Sequence, residues 1–382
     1  MAVDSDTISS LCTSVFTSLD IGSDLINSLD FFGYNASSSF TSKIGFRSNN
    51  HSAIYQHESR PEIHKIWGSM GIFAMFLPGI ILIPPFLVQD LVNLTGVDRL
   101  VNSLSSVLCC VFFPIAIVSA TMLNIFKKCH DDECLRIINI LLGAEAFFES
   151  FTQLTLQCFT ILYGYPITKI QVVAISASFL MLARTSILFN IKNSFRQLDI
   201  WDTIIHSFKL LPCYVTTIIF RTSAFTLTIG YLRSWSVIPI GILFVETAIL
   251  AYLMCRDVKD KVDLFRGAYF MAFSNLAVIN THTIFAEEDQ PCEGNATVFI
   301  RRSSVLTFFH HTTILVVLIC LGRYYPEYFS GNEFEHVILL PQNGNEFYYI
   351  LVTTIVSGFY SMVLSLHLSR NVAEIRVGSV RI

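Results

Sequence analysis

Acidic residues recur inside stretches that are otherwise long and apolar enough for a lipid bilayer, and this conflict restricts the fold more than any other feature of the chain. Residues 143–157, GAEAFFESFTQLTLQ, carry Glu145, Glu149, Gln153 and Gln157 at four-residue intervals. They sit in one of about ten apolar segments, near 8–32, 66–88, 104–126, 135–163, 170–190, 206–232, 235–255, 265–285, 304–322 and 347–369. Several approach the ~20 residues that cross a hydrocarbon core of about 30 Å. Of the 382 residues 53% are hydrophobic and 14% charged, with 33 Phe. A soluble domain of that length has too much surface to hide so many apolar side chains. The expected fold is therefore all-α, a polytopic helical membrane bundle. It reads as one integral-membrane domain over residues 1–382, with its core at about 8–370 and no separate soluble domain.

Several function classes fall away. The net charge of -4 offers no basic field for nucleic acid. The ten Cys are scattered apart from the pair Cys109–Cys110, most of them in apolar runs. With no CxxC pair and no ligand spacing, they read as buried thiols packing like small hydrophobes. No P-loop, HExxH or GxSxG pattern appears, so no active-site constellation and no cofactor or metal is expected. The adjacent His310–His311 has no acid beside it in sequence and reads as structural or interfacial. Asp4 and Asp6, with no basic region before a short apolar core, argue against a cleaved signal peptide.

Loop charges suggest a topology. Lys43, Arg47, Arg60, Lys65, Lys127, Lys128, Lys192, Arg196, Lys209, Arg256, Lys259, Lys261 and Arg266 follow odd-numbered segments, which the positive-inside rule places in the cytoplasm. The acidic loop AEEDQPCEGNAT carries a candidate glycosylation sequon at Asn295, which suits an outside face. The basic C-terminal tail, with Arg370, Arg376 and Arg381, fits this scheme only if two segments enter and leave on one side. The first segment, the richest in Asp, is the natural candidate. Sequons at Asn35 and Asn50 point the other way for the loop that follows it.

The intramembrane polar residues are the candidate functional set. Asp20, Asp24 and Asn27 share one helical face, and Asp30 lies near the end of that segment. In the ladder, each four-residue step drifts only about 40° on an α-helix, so its twelve-residue length makes a stripe about 18 Å long. Arg184, Arg221 and Glu246 lie inside later segments. A charge at the bilayer centre costs at least ~2.5–3.5 kcal/mol, so these groups must face protein, water or each other. Two readings stand: the polar residues glue helices together, or they form a track for something polar.

At these same residues the chain resembles the XK-related family of membrane proteins, several of which are phospholipid scramblases. LDIGSDLINSLDFFGY is similar to that family's first-segment pattern, and FFESFTQLTLQ to its Glu-Thr/Ser-x-Pro-Gln-Leu-x-Leu-Gln signature. ISASFLMLA, IIFRTSAFTL and FSNLAVIN match further stretches in the same order. Thr152 stands where the family has proline; Arg184 and Leu188 replace an expected aromatic and acid, and there are only 3 Trp. The resemblance implies eight spanning helices plus two re-entrant ones in a pseudo-repeat, cytoplasmic tails, and a plasma-membrane protein that exposes phosphatidylserine, as in apoptosis. It implies membrane phospholipids as partners, with a second membrane-protein subunit or a homodimer as further candidates; the alternative functions are a non-transporting subunit that partners another membrane protein, and an ion-coupled transporter or chemoreceptor-like helical bundle. In some members tail cleavage by caspases activates, but SRNVAEIRVGSVRI contains no Asp.

Overall fold

The computed structural model describes residues 5–31, 61–125, 140–162, 169–194, 200–256, 260–278, 293–324 and 344–379. Among them every regular element is helical. The longer ones, with one π-helical turn, are α1 Ser5–Phe31, α2 Pro61–Asn93, α3 Gly96–Val111, α4 Phe113–Ile125, the π turn Glu145–Ser150 running into α5 Phe151–Leu162, and α6 Lys169–Ser194. There follow α7 Ile200–Leu232, α8 Val237–Cys255, α9 Lys261–Ala277, α10 Glu293–Tyr324 and α11 Gly344–Ser379. The chain forms two compact units, Met1–Met181 and Leu182–Ile382, which divide within α6.

Among the described residues six helices are long and apolar enough to cross a bilayer: Trp67–Val92, Lys169–Leu188, Ser207–Leu232, Val237–Cys255, Val298–Cys320 and Ile350–His367. Helices α3 and α4 add a seventh only if counted together, and they are bent by 95° where they meet. The all-helical fold expected from composition is present, and its six to seven span candidates among the described residues are compatible with an integral membrane protein, against the eight spans that the resemblance implies. Neither α1 nor the ladder segment qualifies, because the polar residues that single them out also lower their hydropathy. Helix α8 carries its apolar character outward, with Val237, Ile238, Val245 and Ile249 exposed, as a surface facing hydrocarbon would.

Pro78, Pro84–Pro85, Pro114, Pro212 and Pro239 inside the apolar segments read from sequence as helix breaks, yet they do less than that. Pro78, Pro84 and Pro85 lie inside the continuous α2, and Pro212 inside α7. Pro114 and Pro239 fall in the first turns of α4 and α8, where the missing N–H has no helical acceptor in any case. Hydroxyl side chains in the apolar helices bond back to the carbonyl four residues earlier, as Thr226 does to Thr222 at 2.7 Å and Ser304 to Ile300 at 2.6 Å.

In the first unit α2 is the organising helix, packed against α1, α3, α4 and the π turn. Two glycines permit this. A Cβ on Gly71 would overlap the Ser28 hydroxyl of α1, and one on Gly79 would overlap the Cys110 carbonyl of α3. In the second unit α8 and α9 share a core of Ala251, Met254, Cys255, Met271 and Ala272 with Phe299 of α10. Helix α7 meets α11 through Thr217–Ser361 at 2.7 Å and Cys213–Ser365 at 3.5 Å, with Gly358 flat against the Phe220 ring. Hydroxyl bonds between helices are the kind of glue available where lipid competes equally for apolar surface.

Candidate functional site

The polar stripes of the first and fourth segments meet. Asp20 of α1 accepts hydrogen bonds from Ser150 Oγ at 2.7 Å and from Ser178 Oγ of α6 at 2.6 Å. One turn along, Asp24 Oδ1 accepts from Gln157 Nε2 at 2.7 Å. Gln153 lies between these levels and donates to the Gly71 carbonyl of α2 at 2.8 Å. Gln171 of α6 donates to Thr160 Oγ1 at 3.0 Å, and Thr160 donates to the Gln157 carbonyl at 2.8 Å, extending the network beyond the ladder. Hydrogen bonds from one buried polar region thus tie α1, α2, the π turn with α5, and α6 together.

Its electrostatics are unusual. Asp20, Glu145 and Glu149 are 0% exposed and Asp24 is 1% exposed. The four carboxyl groups lie close enough together for each charge to act on its neighbours. Neither oxygen of Glu149 accepts a hydrogen bond among the described residues, and Asp24 Oδ2 and Gln157 Oε1 are likewise unfilled. The basic side chains described in this unit are Arg99, which donates to the Leu94 carbonyl at 2.7 Å, and the exposed Lys169.

Glu145 and Glu149 stand in the π turn. Its bonds run to the fifth residue rather than the fourth, so it rotates less per residue than an α-helix. The even 40° drift expected for the ladder therefore holds only from Phe151 onward. π turns are rare and recur at functional sites. Sequence patterning also misses Ser150 and Ser178, the two donors on Asp20, because isolated Ser in an apolar helix carries no periodic signal. Removing one of them by Ser178→Ala is expected to cost about 1.5–3 kcal/mol, the range for hydrogen bonds to charged groups, read as a lower unfolding midpoint.

The remaining expected residues lie elsewhere. Arg184 is half-buried on the part of α6 that belongs to the second unit. Arg221, 1% exposed on α7, donates to the Asn275 carbonyl of α9 and, at 3.5 Å, to Thr307 Oγ1 of α10. Glu246 of α8 lies 3.2 Å from His310 Nδ1, and the other ring nitrogen of His310 meets the Pro239 carbonyl at 3.0 Å. The adjacent histidines therefore divide: His310 ties α10 to α8, and His311 is buried against Phe220 and Phe225. The Asn295 sequon sits in the first turn of α10 rather than in a loop, because that helix begins at Glu293. The side chains of Asp30, Asn295, Arg370 and Arg376, the sequons at Asn35 and Asn50, and Arg381 fall outside the described residues. No group of three or more metal-ligating side chains converges among the described residues.

Comparison with protein-family models, with curated proteins and with solved structures finds no match for the chain.

Proposed function

We propose that this chain is an XK-related-type membrane protein that moves phospholipid between leaflets without an energy source, a scramblase of the plasma membrane that exposes phosphatidylserine. The reading starts from the resemblance of two stretches separated by over a hundred residues. One observation carries it further: those stretches supply both sides of a single buried polar cluster, through Ser150 to Asp20 and Gln157 to Asp24. In this proposal the cluster is the closed form of a track. When α1 and the π turn part, Asp20, Asp24, Glu145, Glu149, Gln153 and Gln157 offer a headgroup polar partners while its acyl tails stay in the bilayer. Replacing water by these groups lowers the crossing cost of a charged group, which is otherwise several kcal/mol. With no nucleotide motif in the sequence, net movement runs down the lipid gradient. The eight-plus-two arrangement of segments and the pseudo-repeat belong to the same proposal.

A second reading is favoured by the burial of these acids. The protein is then a non-transporting subunit whose cluster locks α1, α2 and α6 together against a partner membrane protein. Reconstitution separates the two. Liposomes containing the protein and a fluorescent phospholipid are treated outside with dithionite, and the transport reading expects quenching well beyond the outer leaflet's half. Glu149→Gln is then expected to keep the protein folded and to stop quenching near that half. Wild-type protein that halts at half overturns the transport reading. Loss of folded Glu149→Gln protein supports the subunit reading.

A further inference from the structure

We propose that Arg221 forms the positive pole of a binding site for a small inorganic monoanion of chloride size, inside the second unit. The site is independent of the lipid reading.

The first observation is a cation with no carboxylate partner among the described residues. The Arg221 guanidinium is buried, and its partners, the Asn275 carbonyl and the Thr307 hydroxyl, are neutral. The carboxylates whose side chains are described in this unit are committed elsewhere. Glu246 faces His310 at 3.2 Å, Asp263 faces Arg266 at 3.4 Å, and Asp260 caps α9 by accepting from the Val262 N–H at 2.7 Å. A buried charge left without a partner is strongly destabilising, so an anion at this point relieves a real cost.

The second observation concerns groups beside it. Ser303, Thr307 and His311 follow one another at four-residue intervals on α10 and are all buried, so they form one inward face. Thr307 at its centre touches Arg221. On either side, Ser303 Oγ and both ring nitrogens of His311 make no hydrogen bond among the described residues. The His311 ring is nevertheless held edge-on by Phe220 and Phe225, with centroids 5.4 and 5.5 Å away. The Thr307 hydroxyl and the His311 imidazole, one helical turn apart, can each present a hydrogen to a ligand beside Arg221. One formal positive charge with these neutral donors matches a monoanion. The burial of all four residues suits an ion that sheds its water rather than a headgroup that stays tethered to acyl chains.

The test uses the purified full-length protein in detergent, with chloride exchanged for gluconate at constant ionic strength and pH. The wild-type unfolding midpoint is expected to rise with chloride and to saturate, as for any ligand that binds only the folded state. Arg221→Gln is expected to abolish that rise. Should this variant not fold, Thr307→Val and His311→Phe serve: each is expected to raise the half-saturating chloride concentration about tenfold, the loss of one hydrogen bond to a charged group. A flat wild-type response overturns the site, as does an equal response in wild type and every folded variant. Glycerophosphocholine is the headgroup arm. If it raises the wild-type midpoint and chloride does not, the occupant is a lipid headgroup and the inorganic-anion assignment falls.

Discussion

Gly79→Ala is expected to remove most of the correctly folded protein. The added Cβ would overlap the Cys110 carbonyl and lie 3.0 Å from the Phe113 Cβ, at the corner where α3 turns through 95° into α4. No rotamer change relieves this, because the obstruction is backbone held within a helix. The cost should exceed the ~1–3 kcal/mol typical of overpacking among flexible side chains. Size-exclusion chromatography in detergent is expected to show the monodisperse peak depleted, and any surviving protein should unfold at a clearly lower temperature. Gly22 and Gly241 are the controls. A Cβ at either meets nothing within 4 Å, and both lie in helices, where alanine is favoured over glycine by roughly 0.5–1 kcal/mol. Equal behaviour of all three variants would show that α2 does not approach the α3–α4 corner so closely.

That corner also marks the limit of what the sequence discloses. The apolar runs announce helices, because a 3.6-residue repeat with no polar face has few other solutions, and the ladder announces its own burial. Gln157 bonded to Asp24 is a pairing of two stripes, each visible separately. The partnership itself is not visible, since nothing local connects residues 133 apart. Ser178 on Asp20 is less legible still, being one hydroxyl among several in an apolar helix. The prolines mislead in the opposite direction. Pro78, Pro84 and Pro85 would end a helix in water, yet α2 runs through them, because a chain in lipid has no better place than a helix for its backbone polar groups. Arg221 was conspicuous as an intramembrane charge, but its surroundings of Thr307, Ser303 and His311 depend on how α7 meets α10.

Glu149→Leu is expected to raise stability and abolish lipid movement in the same molecule. Glu149 is fully buried, neither of its oxygens accepts a hydrogen bond among the described residues, and the charges acting on it come from Glu145, Asp20 and Asp24. Replacing such a group by an apolar side chain of similar size removes repulsion and desolvation without stripping any partner of its bond. Comparable replacements of buried charges stabilise by about 1–4 kcal/mol. Asp20→Leu should do the reverse, because Ser150 and Ser178 would each lose an acceptor, and buried orphaned donors cost ~1–3 kcal/mol apiece. The pair of variants thus assigns different roles to two acids of one cluster: Asp20 holds helices, whereas Glu149 is kept at a cost to stability. A residue kept at such a cost is expected to serve activity. Unfolding midpoints and dithionite quenching measured on the same preparations decide the matter. A more stable Glu149→Leu protein that still equilibrates lipid would remove Glu149 from the track, and a less stable one would show that this carboxyl helps to hold the cluster closed.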